Sequence, residues 1–184
     1  MNHAVIMAGF GGQGILMIGN VLAVGAINQD LNVTFFPSYG VEMRGGTANC
    51  TVTISDREVG SPVTSRPNAV IAMNEPSVVK FGPRIVPGGL IIVNSSMAPE
   101  NSFSKEGVAV YRMPMNEIAR DLGNAKLASM VALGAYAALA GCVTLENIEK
   151  ALAEVLPSKA HKLIPMNAKA LREGERLALE GPKP

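Results

Sequence analysis

The chain has two cysteines, two histidines and no tryptophan in 184 residues, and these shortages close off several chemistries. Cys50 and Cys142 lie far apart and form no C-x-x-C pair. That excludes an iron–sulfur cluster held within the chain, or a four-ligand zinc site. With only His3 and His161 available, a mononuclear metal centre or a His-based triad is hard to assemble. Charged residues make up only 17% and the net charge is +1, so no electrostatic case exists for nucleic acid or an anionic membrane. Aromatics at 4% leave few platforms for stacking bases. The longest apolar stretch, residues 129–143, is too short to span a bilayer and reads as a buried core helix. Met1-Asn2-His3 precedes only five apolar residues, so no signal peptide is expected and the cytoplasm is the default location.

What is abundant is apolar. Hydrophobic residues reach 48%, and part of that surface is expected in a subunit interface or in self-association of the isolated chain. The length suits one well-cored domain, assigned to residues 1–179, with a loose tail over 180–184.

Strand and helix signals alternate. An apolar strand over 4–9 runs into Gly9-Phe-Gly-Gly-Gln-Gly14, and a helix follows over 14–28. Ile15, Ile18, Gly19, Leu22, Ala23 and Ala26 keep the i, i+3, i+4, i+7 spacing, on a face small enough to press against a sheet. Further strands are expected over 33–36, 49–54 (returning through 57–59 as a hairpin), 69–73, 90–93 and 108–111. A short helix opens at Pro76. The last third is helical, over 115–122, 127–141, 144–154 with Thr144 as N-cap, and 159–179. The expected fold is α/β: a mainly parallel, Rossmann-like three-layer sheet with a helical C-terminal third.

Two segments depart from plain core building. Gly9, Gly11 and Gly14 match G-x-G-x-x-G, with Gly12 and Gln13 between them, and such a turn brings backbone N–H groups to a helix N-terminus. A dinucleotide site also needs an acid at the end of the second strand, about 20 residues on, and none ends Val33-Thr34-Phe35-Phe36. NAD is therefore disfavoured. The turn either packs or docks another chain, or it receives a phosphate or carboxylate. The second segment, Ser38-Tyr39-Gly40-Val41-Glu42-Met43-Arg44-Gly45-Gly46, sets an acid and an arginine among glycines at the end of a strand. Glu42 and Arg44 either pair or face solvent, or Arg44 grips a carboxylate or phosphate in bidentate fashion. In an open α/β sheet both segments fall on the ligand-bearing edge.

Gly11-Gly12-Gln13-Gly14-Ile15, then Tyr39-Gly40-Val41-Glu42-Met43-Arg44-Gly45-Gly46 and Ile54-Ser55-Asp56, resemble the gamma subunit of the 2-oxoacid:ferredoxin oxidoreductases. The likeness continues through Ser61-Pro62, the strand near Ile71 and the stretch from Gly123-Asn124 to Leu133-Gly134. It departs at Val41, where Pro is frequent, at Asn68, where Asp is common, and at Ser129, where Asn is expected. The resemblance implies a complex that decarboxylates pyruvate, 2-oxoglutarate or a related 2-oxoacid and transfers the acyl group to coenzyme A. Thiamine diphosphate, magnesium and iron–sulfur clusters would sit on alpha, beta and ferredoxin-like delta partners. This chain, with no cluster cysteines and no Gly-Asp-Gly diphosphate motif, would form interfaces and help shape the approach of coenzyme A. The other reading is a stand-alone Rossmann-like domain binding a nucleotide or coenzyme of its own. It lacks the ribose acid and a P-loop Gly-Lys-Ser/Thr.

Overall fold

The computed structural model of the chain describes residues 1–39 and 46–181. Six strands form one sheet: β1 (Asn2–Phe10), β2 (Asn32–Tyr39), β3 (Thr47–Ser55), β4 (Ala69–Ala72), β5 (Leu90–Asn94) and β6 (Ala109–Met113), in the order β2-β3-β1-β4-β5-β6. The pairings β1–β4, β4–β5 and β5–β6 are parallel, whereas β3 runs antiparallel to both β1 and β2. β2 therefore points the same way as β1, and β3 alone is reversed.

That insertion corrects one expectation. The hairpin return through 57–59 does not form, because β3 has already given one edge to β1 and the other to β2. The two strands joined by helix α1 (Ile15–Ile27) are not neighbours either, as they would be in a dinucleotide-binding βαβ unit.

Both sheet faces are packed, but unequally. On one face Val5, Met7, Val52, Ile54, Ile71 and Ile92 meet α1 and the C-terminal helices. On the other, Ile6, Ala8, Val70, Ile91 and Val93 meet the short helix α2 (Glu75–Phe81) through Val78 and Phe81. The alternation along β1 follows the two-residue period of a strand. All six residues of the predicted α1 stripe are buried, joined by Val21 and by Gly25, which backs onto Ile148. α2 is capped by Asn74, whose side chain accepts from the Ser77 N–H at 3.0 Å, with Pro76 in the first turn.

The remaining helices are α3 (Met115–Asp121), α4 (Ala128–Ala140), α5 (Leu145–Val155) and α6 (Ile164–Glu180). Thr144 caps α5 as expected, accepting from the Asn147 N–H at 3.4 Å. Residues 159–163, expected at the start of the last helix, belong to the 3-10 helix Ser158–Leu163 ahead of it, and Glu180 is the last residue of α6 rather than part of the tail. α4 is the buried apolar helix, and it crosses α6 closely. Gly134 lies against the Leu171 carbonyl and Gly174 against the Val131 carbonyl, where a methyl group on either would collide with backbone. No helix among the described residues is long and apolar enough to cross a membrane.

Candidate functional site

β1 ends in a turn that closes on itself. The Phe10 N–H donates to Gln13 Oε1 at 2.6 Å, and the Gln13 N–H returns to the Phe10 carbonyl at 3.1 Å. Gly12 (φ 97) and Gly14 (φ 79) both adopt the left-handed region that side chains rarely tolerate. Gly14 is the N-cap of α1, with no side chain capping the helix and no acid in its first turn. The positive end of the α1 dipole is thus left without a compensating group of its own.

The register brings the two glycine segments to one edge. Gly9 pairs with Ala48, and Ala48 pairs with Tyr39, so β1 and β2 end side by side across β3. The Gly11 N–H donates to the Gly46 carbonyl at 2.8 Å, tying the first segment to the end of the second. Gly40, Glu42, Arg44 and Gly45 lie outside the described residues.

Gly12 and Gln13 open onto a cavity of about 340 Å³ that they share with Met73, Asn116, Arg120 and Lys126. The turn after β1 and the end of β4 line it, and Asn94 at the end of β5 ties them to α3. Gln13 Nε2 donates to the Met73 carbonyl at 3.5 Å, and buried Asn94, at the end of β5, donates to the same carbonyl at 3.4 Å. Asn94 also donates to Asn116 Oδ1 at 3.0 Å and accepts from the Met115 N–H at 3.2 Å, which fixes the start of α3. Arg120, one turn on, bonds the Asn116 carbonyl at 3.3 Å and Glu117 at 3.0 Å. Hydrogen bonds from Ser96 and from its own backbone N–H, and then the Arg120 charge, hold the Glu117 carboxyl below its usual range. Lys126 follows the Gly123-Asn124 turn, where Asn124 Oδ1 accepts from the Lys126 N–H at 3.0 Å.

Arg120 and Lys126 escaped the reading of the sequence. The signal present was the Gly-Asn turn between two helical stretches. What brings it opposite the glycine turn is the packing of α3 and α4 on one face. Lys126 and Arg120, the latter paired with Glu117, face the Gly12-Gln13 turn across one cavity, an arrangement that suits an anionic group.

The two thiols do other work. Cys50 is buried in β3, touches the Ile15 carbonyl at 3.6 Å, and burial pushes it up to about 12. Cys142 lies 3.4 Å from the Tyr136 hydroxyl, and burial raises it as well. Neither is placed to ligate a cluster. Among the described residues no group of three or more His, Cys, Asp or Glu could hold a metal ion.

A family model described as pyruvate ferredoxin/flavodoxin oxidoreductase matches residues 4–177. The chain belongs to this family. It is 39% identical to the ketoisovalerate oxidoreductase subunit VorA of Methanothermobacter thermautotrophicus over 96% of its own length, but it spans only 36% of that relative. It is 31% identical to the 2-oxoglutarate synthase subunit KorC of Methanothermobacter marburgensis, and this match covers 100% of both chains. Among solved structures, the gamma subunit of a keto/oxoacid ferredoxin oxidoreductase from Geobacter sulfurreducens is similar with a TM-score of 0.81 and 29% identity, over 96% of this chain and 98% of that one. The six-stranded sheet and its helical C-terminal third are therefore those of a gamma-type subunit in the pyruvate ferredoxin/flavodoxin oxidoreductase family.

Proposed function

We propose that this chain is the gamma component of a multi-subunit enzyme that oxidatively decarboxylates a 2-oxoacid to an acyl-CoA and passes the electrons to ferredoxin. The observation that carries the reading is the end-to-end correspondence with KorC, itself a separate subunit of this length. Thiamine diphosphate with its magnesium, and the iron–sulfur clusters, belong on alpha, beta and ferredoxin-like delta partners. Buried Cys50 and Cys142 do not fit a cluster, and the glycine turn carries no side-chain acid for a metal-bridged diphosphate.

The part played by this chain is to bind and to orient. The edge formed by Gly9, Gly11, Gly12, Gln13 and Gly14, with Tyr39 and Gly46 beside it, receives an anionic group against Arg120 and Lys126. That group is a phosphate of coenzyme A or an acid of a thiamine-binding partner, and Gly40, Glu42, Arg44 and Gly45 belong to the same edge. Exposed Phe36, Val63, Val79 and Leu179 supply apolar surface for partners, and for self-association when partners are missing.

Reconstitution tests this. Co-expression with thiamine-binding and ferredoxin-like partner chains should give a complex whose acyl-CoA formation requires this chain. Failure to assemble, together with stabilisation of the lone chain by NAD, FAD or ATP in a thermal-shift panel, would instead make it a stand-alone nucleotide-binding domain.

A further inference from the structure

A second cavity, of about 520 Å³, runs along β6, the strand that ends the sheet opposite β2. Its lining takes Val110, Tyr111, Arg112 and Met113 in unbroken succession. A space on one sheet face would meet every second residue, so this one follows the edge itself. We propose that the edge is a docking groove for one extended segment of a partner chain, paired to β6 through its backbone and carrying a basic residue. The proposal does not rest on the glycine edge or on the oxidoreductase reading.

The backbone supplies the main observation. The Ala109 N–H donates to the Gly89 carbonyl at 2.9 Å, and the Met113 carbonyl accepts from the Ser95 N–H at 2.9 Å. In a parallel ladder alternate residues turn both backbone groups to the same neighbour. Ala109, Tyr111 and Met113 therefore face β5, and Val110 and Arg112 face outward. No backbone hydrogen bond of Val110 or Arg112 forms among the described residues. Their N–H and C=O groups stand open, the template that strand addition uses.

Nothing in the strand blunts that template. β2, at the other end of the sheet, carries Pro37, which has no N–H to offer, whereas β6 contains no proline. The one charge on β6 is turned away: the Arg112 guanidinium donates to the Pro99 carbonyl at 3.2 Å and to the Phe103 carbonyl at 3.1 Å. Edge strands commonly carry an outward charge, a proline or a bulge that prevents pairing.

The walls select the occupant. Arg112 holds the segment 99–103 on the α2 side of the edge, and Ile118 of α3 with Leu177 of α6 stands on the α1 side. A second copy would bring the same two walls to the same edge, so the groove suits a single strand rather than another sheet. Ile118 and Leu177 favour apolar side chains at alternate positions of that strand. Two carboxylates line the groove. Glu173 is held by Arg176 at 2.7 Å, while exposed Glu100 takes part in none of the ion pairs among the described residues. The unspent charge is negative, and it is complementary to a lysine or arginine.

The test is amide hydrogen exchange of the full chain by NMR, with and without the peptide acetyl-Val-Thr-Val-Lys-Val-amide at millimolar concentration. In the free protein the Val110 and Arg112 amides should exchange fast, with Tyr111 between them protected. Saturating peptide should slow both about tenfold or more. N-methylation of one alternate set of peptide amides should abolish the effect, and methylation of the other set should spare it, because only one set faces β6. Glu100→Gln should weaken this peptide about two- to fivefold and leave a version with threonine in place of lysine unchanged. No slowing by the peptide, or equal loss from both methylated forms, overturns strand pairing. Val110 and Arg112 amides already slow in the free protein overturn the open edge. Slowing that grows with protein concentration assigns the edge to a second copy and overturns the partner segment. A Glu100→Gln protein that binds both peptides as the parent does overturns the basic residue.

Discussion

The Ser129 hydroxyl lies directly beneath Gly14, 2.6 Å from where a Cβ on that glycine would stand. Ser129 is fully buried and its Oγ has no hydrogen-bond partner among the described residues. The start of α4 is thereby pressed against the start of α1, and the contact leaves no room for a side chain at position 14.

Gly14→Ala should therefore destabilise the chain by about 1–3 kcal/mol, from the left-handed backbone and the collision together. Ser129→Ala should be close to neutral, since it removes an unpaired hydroxyl, and it should recover only the collision part in the double variant. Urea denaturation of the four proteins checks this. A Gly14→Ala protein as stable as the parent would mean that the turn is not built this way.

Arg120→Ala and Lys126→Ala should leave the melting temperature nearly unchanged, because both side chains stand on an open cavity rather than in the core. If the edge receives an anion, each should reduce coenzyme A-dependent turnover of the reconstituted complex about tenfold, near 1.4 kcal/mol. Arg44→Ala is expected to lose about 2–5 kcal/mol of binding if its partner is a buried acid or phosphate. Full turnover with normal assembly in all three variants would remove the cationic edge from the mechanism. Gly12→Val, by contrast, should cost stability in the lone chain: no atom of the described residues crowds the site, but φ of 97 strains any side chain.

His3 gives the acid limb of stability a specific shape. Burial lowers its pKa, and its Nε2 has no partner among the described residues, so the fold favours the neutral ring packed near Tyr136. A depressed histidine stabilises the fold fully above its unfolded pKa, about 6.5. That contribution is lost as pH falls from there through the folded value. Urea midpoints measured from about pH 7.5 down to pH 5 should decline for the parent, and more shallowly for His3→Phe. Equal slopes would assign the decline to other groups.

Both thiols should resist a disulfide reagent at mildly alkaline pH in the native protein and react fully in urea. Burial raises Cys50 to about 12 and raises Cys142 too, so neither offers thiolate. Native labelling at the rate of a free thiol would show that β3 or the α4–α5 turn opens far more often than this packing allows.

The residues themselves determined α1, whose small-faced stripe is buried residue for residue, and the cap of α5 by Thr144. They determined β4 as a strand buried on both faces, because local periodicity and capping depend on neighbours a few positions away. Tertiary structure alone decided that β3 enters between β1 and β2, since strand pairing depends on which edges are free when the sheet closes. The same holds for Arg120 and Lys126. They share a cavity with Gly12 because α3 and the turn after it pack on the sheet face that carries α1, through contacts distant in sequence. The glycines announced an edge; only the packing of α3 and α4 supplied its charge.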